Sequence, residues 1–249
     1  MSDCGGKVYL VGSGVGAIDY LTVRASRLLS QAEVVVYDAL VDEGLFELLS
    51  SDCLRLNVGK RGGKPSTPQA EINQLLVEHC QRGKQVVRLK SGDPFIFGRS
   101  AAEIQTLVEA GCPFEVVPGI SSALAAPLLA SIPLTDPVLS RSFAVVTAHE
   151  PDALNWEALA QIETLVILMG TRQLPEILDQ LQQHGRASRT PIAIVRWAGQ
   201  ANQQIWTGTL ETILRQTDRQ SLSPAVIVIG EVVALRPYLQ PPSSMHNNG

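Results

Sequence analysis

The residues with the clearest chemical potential form a tight loop, Ser91-Gly92-Asp93-Pro94, which follows a run of apolar residues at 86–89. Glycine adopts backbone angles closed to other residues, while proline fixes φ and lacks a donor, so a predicted strand ends here. Open α/β sheets hold their ligands in such loops. Asp93 could bind hydroxyl or ammonium groups, with Phe95 and Phe97 as flat apolar walls. The alternative is an ordinary strand-to-helix turn in which Asp93 caps the helix.

A second candidate is the glycine loop Gly12-x-Gly14-x-Gly16, which follows a strand predicted at 8–11. Asp38 ends the next predicted strand, at 33–38. Together they resemble a dinucleotide fingerprint, in which the glycines cradle a pyrophosphate and the carboxylate holds a ribose. This signal is weak alone, and it leaves the Ser91–Pro94 loop without a role. Before any resemblance is considered, Asp38 could equally be a helix cap.

Charge is unevenly distributed along a chain whose net charge is −4. Between residues 55 and 99 there are nine basic and three acidic residues, which gives this segment a charge of +6. Lys60, Arg61 and Lys64 are crowded into one glycine-containing loop. A local basic field in an acidic protein indicates a small polyanionic ligand, since nucleic acid usually needs a broader basic surface.

The cysteines and histidines exclude several classes. There are four of each, dispersed and without a C-x-x-C pair, which suits a reducing compartment and predicts no metal site. No apolar run is long enough to span a membrane, and the N-terminus lacks the pattern of a signal peptide. We therefore expect a cytoplasmic protein without a metal.

Predicted strands and helices alternate, which indicates an α/β fold of two domains, 1–133 and 134–240, with a ligand cleft between them. The proline-containing segment 131–137 is the predicted linker, and a polar tail begins at Pro237, with 241–249 expected to be disordered. Asp19 or Thr22 is expected to open the first helix. Further helices are predicted at 41–49, 69–81, 101–110, 121–130, 174–183 and 210–215, and further strands at 54–58, 86–89, 114–117, 143–147, 165–169, 192–195, 204–206 and 225–229.

Several motifs occur in the order seen in one family. Across roughly residues 7 to 235, the chain resembles the tetrapyrrole methylases, and within them the members that methylate uroporphyrinogen III. The most specific pieces are VGKRGGKPSTPQAEIN and LKSGDPFIFGR. The others include VYLVGSGVGAIDYLT, VVVYDALV, PFEVVPGISSALAAPLLASIPLT, LVILMG, WTGTL and SPAVIVIGEVV.

The resemblance implies two α/β domains with S-adenosylmethionine in the cleft between them, and a homodimer. It implies transfer of two methyl groups to pyrrole carbons of uroporphyrinogen III, giving precorrin-2 by way of precorrin-1, for siroheme or cobalamin. Asp38 matches the family's proposed proton acceptor and Lys60 its proposed donor. The implied cofactor positions are Gly14, Val15, Ser91, Gly92, Asp93, Ile96, Ser121, Ser122, Met169, Ala198 and Ala225.

The substrate carries eight carboxylates, which gives the basic segment a purpose. We expect Lys60, Arg61, Lys64 and Arg99 to contact it, because ammonium and guanidinium groups pair well with carboxylates.

Some positions depart from the family pattern. Val15 stands where proline is usual and Ser91 where glycine is, which backbone contacts to a cofactor would tolerate. Ala39, Ala102 and Asp136 stand where arginine, glutamate and histidine are frequent, and these positions bear on substrate contacts. Arg141 is a candidate replacement for a lost cation.

Three alternatives remain open. A sister methylase acting on a later precorrin would share the cofactor loops but should lack VGKRGGKPSTPQAEIN. An NAD(P)-dependent oxidoreductase, including a siroheme-type dehydrogenase, would use the glycine loop and Asp38 for its nucleotide. A sensor would bind S-adenosylmethionine without turnover. At 249 residues we expect no additional dehydrogenase and ferrochelatase module.

Overall fold

The computed structural model describes residues 5–59 and 67–240 and divides into two compact units, Met1–Ser122 and Ala123–Gly249. Lys60, Arg61, Lys64 and the predicted tail 241–249 lie outside the described residues. The division falls within the helix Ser122–Leu129, earlier in the chain than the predicted boundary at 133/134. Residues 131–137 belong to the second unit, where Ile132 is buried in the core.

The first unit contains one five-stranded sheet and three α-helices. The strands are β1 Lys7–Gly12, β2 Val34–Tyr37, β3 Leu54–Asn57, β4 Gln85–Lys90 and β5 Phe114–Val117, and the helices are α1 Val23–Ser30, α2 Gln69–Gln81 and α3 Ser100–Glu109. The strand order is β3-β2-β4-β1-β5, and every neighbouring pair is parallel. The inner strands are rich in valine and buried on both faces, as parallel sheets covered by helices require.

The helices of the first unit divide between the two faces of its sheet. Helix α1, which begins after Thr22 caps the amide of Ala25, packs on the face that carries Val87 and Leu89. Helices α2 and α3 pack on the opposite face, against residues that include Val86. Since alternate residues of a strand point to opposite faces, positions 86, 88 and 90 of β4 all lie on the α2–α3 side.

The strand order creates a crevice at the carboxyl ends of β1 and β4. The connection after β1 leads through α1 to β2, on one side of the sheet centre, whereas the connection after β4 leads through α3 to β5 on the other. Adjacent strands whose connections leave in opposite directions form the point at which open α/β sheets bind ligands. The loops 13–22 and 91–99 flank this point.

The second unit has a mixed five-stranded sheet with helices on both faces. Its elements are α4 Ser122–Leu129, β6 Phe143–Thr147, α5 Trp156–Gln161, β7 Thr164–Leu168, α6 Leu174–Gln183, β8 Pro191–Arg196, β9 Gln204–Thr209, α7 Ile213–Gln216 and β10 Ala225–Ile229. The strand order is β6-β7-β10-β8-β9. Strands β6 and β7 are parallel, and β10 is antiparallel to both β7 and β8. The helix α6 packs on one face of this sheet, and α4 packs on the other.

The predicted helices at 69–81 and 174–183 are confirmed, whereas four other features differ from the prediction. The segment predicted as a helix at 41–49 is a 3-10 helix, Glu43–Leu48, started by the Asp42 side chain. The helix predicted at 210–215 is shortened to α7, because the Thr212 hydroxyl accepts the Thr209 amide and holds a turn there. Helix α5 was not predicted, and the supposed tail begins inside a 3-10 helix, Glu231–Tyr238. Among the described residues, no helix combines the length and apolarity needed to span a membrane.

Candidate active site at the carboxyl edge of the parallel sheet

Three loops meet at the carboxyl edge of the first sheet. Gly14 and Gly92 exchange backbone hydrogen bonds of 3.2 and 2.8 Å, which joins the loop after β1 to the loop after β4. A Cβ atom on Gly119, in the loop after β5, would lie 2.2 Å from the Gly92 carbonyl oxygen and 2.7 Å from Cα of Gly12. The loops therefore approach so closely that a side chain at 119 does not fit.

The Asp93 carboxylate links two of these loops. Its Oδ1 accepts the Phe95 amide at 2.8 Å, and its Oδ2 accepts the Gly119 amide at 3.2 Å. Gly92 has φ +71°, which is the conformation that favours glycine. The carboxylate therefore caps the turn that follows β4, whereas α3 begins only after Arg99.

Apolar side chains are exposed beside this turn. Phe95, Ile96 and Phe97 have 63%, 46% and 44% of their surface exposed. Phe97 and Arg99 adopt positive φ angles of 54° and 55°. Such conformations are strained for residues with a side chain and concentrate at functional sites.

Most of the predicted cofactor positions in the first unit lie at this edge. The position of a Cβ on Gly92 is 3.7 Å from the Ser122 amide nitrogen and 3.8 Å from Cα of Ser121. Ser91, Ser122 and Val15 are half-buried, and Ser121 is buried. The fold thus brings together residues that are more than one hundred positions apart in the chain, Gly14 and Ser121 among them.

A chain of alternating charges lies beneath the edge, on the α2–α3 side. Arg88 Nη2 contacts Asp38 Oδ1 at 2.6 Å, and Arg88 Nε contacts Glu103 Oε1 at 2.9 Å. Lys90 Nζ contacts the other oxygen, Glu103 Oε2, at 2.7 Å. Exposure of the side chains is 0% for Glu103 and 3% for Arg88 and Lys90, but 31% for Asp38. Asp38 is therefore the member through which this network reaches the surface.

Burial affects the two cations differently. Burial lowers the pKa of Arg88, but attraction to Asp38 and Glu103 outweighs it, so the net pKa is above the ordinary value. For Lys90, burial together with repulsion from Arg88 lowers the pKa despite the contact with Glu103. The guanidinium is thus a permanent charge at the centre of the network.

Part of the positive charge of segment 55–99 does not face a ligand, contrary to the prediction. Arg88 and Lys90 contribute to its charge of +6, but both are buried and neutralised by Asp38 and Glu103, which lie outside that segment. They cannot attract a ligand from solvent. Glu103 was missed as a site residue. Two cations at alternate positions of an otherwise buried strand were the signal, because they require a buried carboxylate opposite them.

Two of the predicted substrate-binding arginines, Arg99 and Arg141, are described by the structure, and both are exposed. Arg99 precedes α3 and forms no ion pair with any residue in the ranges 5–59 and 67–240. Arg141 donates its backbone amide to Glu163, and its side chain is exposed.

The three departures from the family pattern that bear on substrate contacts, Asp136, Ala102 and Ala39, make local contacts in the structure. Asp136 Oδ1 accepts the amides of Val138 and Leu139, both at 2.9 Å, so Asp136 forms a turn. These hydrogen bonds lower the pKa of Asp136. The carbonyl of Ala102 accepts a hydrogen bond from the Asn73 side chain at 3.2 Å. Ala39 packs closely on Gly59, because a Cβ atom on Gly59 would lie 2.0 Å from the backbone nitrogen of Ala39.

In the second unit, the predicted positions Met169, Ala198 and Ala225 meet at one edge of the mixed sheet. Met169 follows β7, Ala198 follows β8, and Ala225 begins β10, which runs antiparallel between those two strands. Met169 has φ 56° and is 51% exposed, so its side chain is not part of the core. Trp197 also has a positive φ, 51°, and its amide donates to the Pro224 carbonyl at 3.3 Å.

The strand order disagrees with the dinucleotide interpretation. In a dinucleotide-binding fold the strand that ends in the ribose-binding carboxylate lies next to the strand of the glycine loop. Here β4 lies between β1 and β2, and Asp38 is bound to Arg88 of that intervening strand.

Within the described part of the chain, no group of three or more His, Cys, Asp or Glu residues is placed so that it could hold a metal ion.

Comparison with known proteins assigns the chain to a family. The family described as Tetrapyrrole (Corrin/Porphyrin) Methylases matches residues 7–214, and the chain belongs to it. The chain is 59% identical over 233 residues to a uroporphyrinogen-III C-methyltransferase of Synechococcus elongatus. The aligned residues make up 94% of this chain and 96% of that protein.

Two further matches are informative. A siroheme synthase of Sodalis glossinidius is 48% identical over 235 residues, which make up 93% of this chain but 50% of that protein, so the chain spans about half its length. Among solved structures, a uroporphyrin-III C-methyl transferase from Thermus thermophilus complexed with S-adenyl homocysteine matches with a TM-score of 0.80. That protein is 37% identical, and the match covers 92% of this chain and 100% of the other.

Proposed function

We propose that this chain is an S-adenosylmethionine-dependent C-methyltransferase that adds two methyl groups to uroporphyrinogen III. The product is precorrin-2, formed by way of precorrin-1. The observation that carries this proposal is the 59% identity to a uroporphyrinogen-III C-methyltransferase across nearly the whole of both proteins. The solved relative that holds S-adenyl homocysteine supports the choice of methyl donor.

The residues at the first sheet's edge fit this cofactor. Gly14, Gly92 and Gly119 form a loop crossing without Cβ atoms, so a ligand can approach the backbone closely there, while Ile96 offers an exposed apolar surface. The Asp93 carboxylate is held in place by two amides, and each oxygen keeps a lone pair for a ribose hydroxyl. S-adenosylmethionine supplies the methyl group when it is bound. Contacts from Val15, Ser91, Ser122, Met169, Ala198 and Ala225 remain predictions.

The protein's own contribution is positioning and the handling of one proton. The acceptor carbon belongs to an electron-rich pyrrole, so no protein nucleophile is needed. Holding the reactants in line contributes up to about 7–11 kcal/mol in favourable systems. Asp38, partly exposed at the end of β2, is suited to accept the pyrrole N–H proton or to stabilise the positive charge formed on transfer. Lys60 as proton donor lies outside the described residues and remains a prediction.

We propose that cationic side chains recognise the carboxylates of the substrate. Arg99 is exposed, and Arg61 and Lys64 belong to the predicted basic loop outside the described residues. Because a charge-assisted hydrogen bond is worth about 1.5–3 kcal/mol, Arg99→Ala should raise KM for uroporphyrinogen III about 10- to 100-fold and leave KM for S-adenosylmethionine nearly unchanged. Equal increases in both constants would contradict the assignment. Arg24→Ala, which removes an exposed arginine on α1, is the control.

The decisive test of the function is product mass. The purified protein is incubated anaerobically with enzymatically generated uroporphyrinogen III and S-adenosylmethionine, and the tetrapyrrole is weighed by mass spectrometry. Two added methyl groups are expected. One added methyl group would indicate that Ala39, Ala102 or Asp136 has altered the substrate pocket. No added methyl group, with S-adenosylhomocysteine still bound, would favour a sister methylase that acts on a later precorrin.

The oxidoreductase alternative is tested by ligand-induced stabilisation. Thermal unfolding is followed with NADH and, separately, with S-adenosylhomocysteine. We expect only S-adenosylhomocysteine to raise Tm, because the strand order separates Asp38 from the glycine loop's strand. A sensor would show the same shift but would methylate neither uroporphyrinogen III nor a later precorrin, which distinguishes it from a sister methylase.

We also propose that the protein works as a homodimer in the cytoplasm, on the basis of the family resemblance. Light scattering coupled to size exclusion measures the mass in solution, and a mass of one chain would contradict the dimer.

A further inference from the structure

The buried charges of the first unit converge on one partly exposed carboxylate. Arg88 and Lys90 extend from β4, Glu103 extends from α3, and Asp38 follows β2, the neighbour of β4. Within the described residues, these three, Arg88, Lys90 and Glu103, are the only charged residues that are buried. Burying a charge is costly, and even a well-paired buried ion seldom adds stability over apolar packing. A site that required only packing would therefore not be expected to contain this arrangement.

The arginine is held in a single orientation by all three of its nitrogens. Nε donates to Glu103 at 2.9 Å, Nη1 donates to the carbonyls of Val36 and Leu89 at 3.3 and 3.4 Å, and Nη2 donates to Asp38 at 2.6 Å. Glu103 is itself fixed, because its second oxygen is bound to Lys90 at 2.7 Å and Gln69 donates to its first at 3.4 Å. The guanidinium is therefore a rigid fork aimed at Asp38 Oδ1.

Only one oxygen of Asp38 is used by this fork. Within residues 5–59 and 67–240, no group donates a hydrogen bond to Oδ2. The backbone amide of Asp38 donates to the Leu89 carbonyl at 3.2 Å, which ties the residue to β4 as well. One oxygen is thus anchored, while the other remains able to accept a proton.

We propose that Arg88, held by Glu103, is a positioning residue for methyl transfer that fixes the Asp38 carboxylate at the sheet edge and leaves Oδ2 without a hydrogen bond from the other described residues. This inference rests on the proposed role of Asp38 as proton acceptor. The elevated pKa of Arg88 agrees with it, since the fork keeps its charge throughout the reaction. Lys90 serves the network indirectly, by holding the second oxygen of Glu103.

Arg88→Lys tests the proposal because it keeps the charge and removes the fork. We expect kcat to fall about 10- to 100-fold, the effect of a small misplacement of a reacting group. The Kd for S-adenosylhomocysteine should stay within about twofold, because Arg88 does not contact the cofactor loops. The matched control is Arg24→Lys, which changes the exposed two-bond pair between Arg24 and Glu115 and should leave kcat unchanged.

A double-variant cycle separates positioning from general support. Asp38→Asn alone should lower kcat by about a hundredfold or more. If Arg88 acts through Asp38, then adding Arg88→Lys to Asp38→Asn should lower kcat by less than about twofold further, because the group being positioned is already lost. Multiplied losses in the double variant would overturn the proposal, since they would mean that Arg88 acts independently of Asp38.

Other outcomes are also decisive. If Arg88→Lys shows no cooperative thermal transition, the same cycle is run with Glu103→Gln, which keeps the length of the side chain and one acceptor oxygen. An unchanged kcat in Asp38→Asn overturns the assignment of Asp38 and, with it, the role of Arg88. Failure of the unsubstituted protein to form methylated product is a separate result, which overturns the proposed function itself before any variant is made.

Discussion

The two units bury polar groups of different kinds. Among the described residues, the buried polar residues of the first unit include the charged Arg88, Lys90 and Glu103, whereas those of the second unit all bear hydroxyl groups. Ser140 and Thr164, for example, form a 2.7 Å hydroxyl pair beside an otherwise apolar core. The core around α6 consists of residues such as Ile177 and Leu178 at 0% and 1% exposure.

The two units therefore differ in what their buried residues contribute. The second sheet is stabilised in the ordinary way, by apolar packing, and presents Met169 and Trp197 in strained conformations at its edge. The first sheet contains buried charge near its carboxyl edge, where Arg88 binds Asp38. Buried ion pairs are poor sources of stability, so we attribute this one to the role proposed for Asp38.

The largest effect is expected from removing the carboxylate shared by the two buried cations. Glu103→Ala removes the carboxylate that pairs with the buried Arg88 and Lys90. It should lower the free energy of unfolding by about 3–5 kcal/mol, measured by urea titration. Glu115→Ala, which breaks exposed pairs with Lys7 and Arg24, should cost about 1 kcal/mol or less. Similar losses in the two variants would remove the distinction between buried and exposed charge.

The second unit should be sensitive to lost volume instead. Leu178→Ala, at a position with 1% exposure, should lower the free energy of unfolding by about 2–5 kcal/mol, because a cavity is left in the core. Leu128→Ala, at a position with 74% exposure, should cost well under about 1 kcal/mol in the same titration. A small loss in Leu178→Ala would mean that this core relaxes around the cavity.

The crossing of the three loops in the first unit predicts an effect on ligand binding. Gly119→Ala places a Cβ against the Gly92 carbonyl, and relieving such a contact costs about 1–3 kcal/mol. Affinity for S-adenosylhomocysteine, measured by calorimetry, should therefore fall about 10- to 100-fold. The control is Gly111→Ala, where a Cβ meets no atom and only φ +65° opposes it. Equal affinities in the two variants would contradict a role for the crossing.

The smallest effect concerns an exposed carboxylate and its pH dependence. The hydrogen bond from Lys7, aided by Arg24, lowers the pKa of Glu115 below its ordinary value of 4.5. Its contribution is therefore present above about pH 4.5 and is lost as pH falls through the folded-state pKa. Glu115→Gln should cost about 1 kcal/mol or less at pH 7, and the difference from the unsubstituted protein should shrink in acid or in high salt. A difference that grows in acid would refute this sign.

Much of the fold followed from local patterns. The apolar spacing of α2 and α6 and the valine-rich strands specified their own secondary structure, so these elements were predicted correctly. Short elements were not predicted as well. Residues 43–48 form a 3-10 helix rather than an α-helix, and the six-residue α5 was missed, because one or two turns carry too little periodicity.

The candidate site was only partly predictable. Glycine, proline and aspartate mark tight loops after strands, so the loops of Gly14, Gly92 and Asp93 could be found in the sequence, and the structure brings them together. Their contacts with a cofactor remain predictions. The prediction that Arg88 and Lys90 help to attract a polyanionic ligand was wrong, because a count of charges along the sequence does not show which side chains are buried. Their partner Glu103 lies on α3, and only the packing of that helix on β4 reveals it.

By itself, the sequence determined the family, the alternation of strands and helices, and the loops that carry the methylase motifs. These properties are local, since each depends on residue types within a few positions. Only the tertiary structure decided that Asp38, Arg88 and Glu103 form one network, because their elements are distant in the chain and meet through strand order and helix packing. It also decided which cations face solvent. Burial is a property of the assembled layers, and no single stretch of sequence contains it.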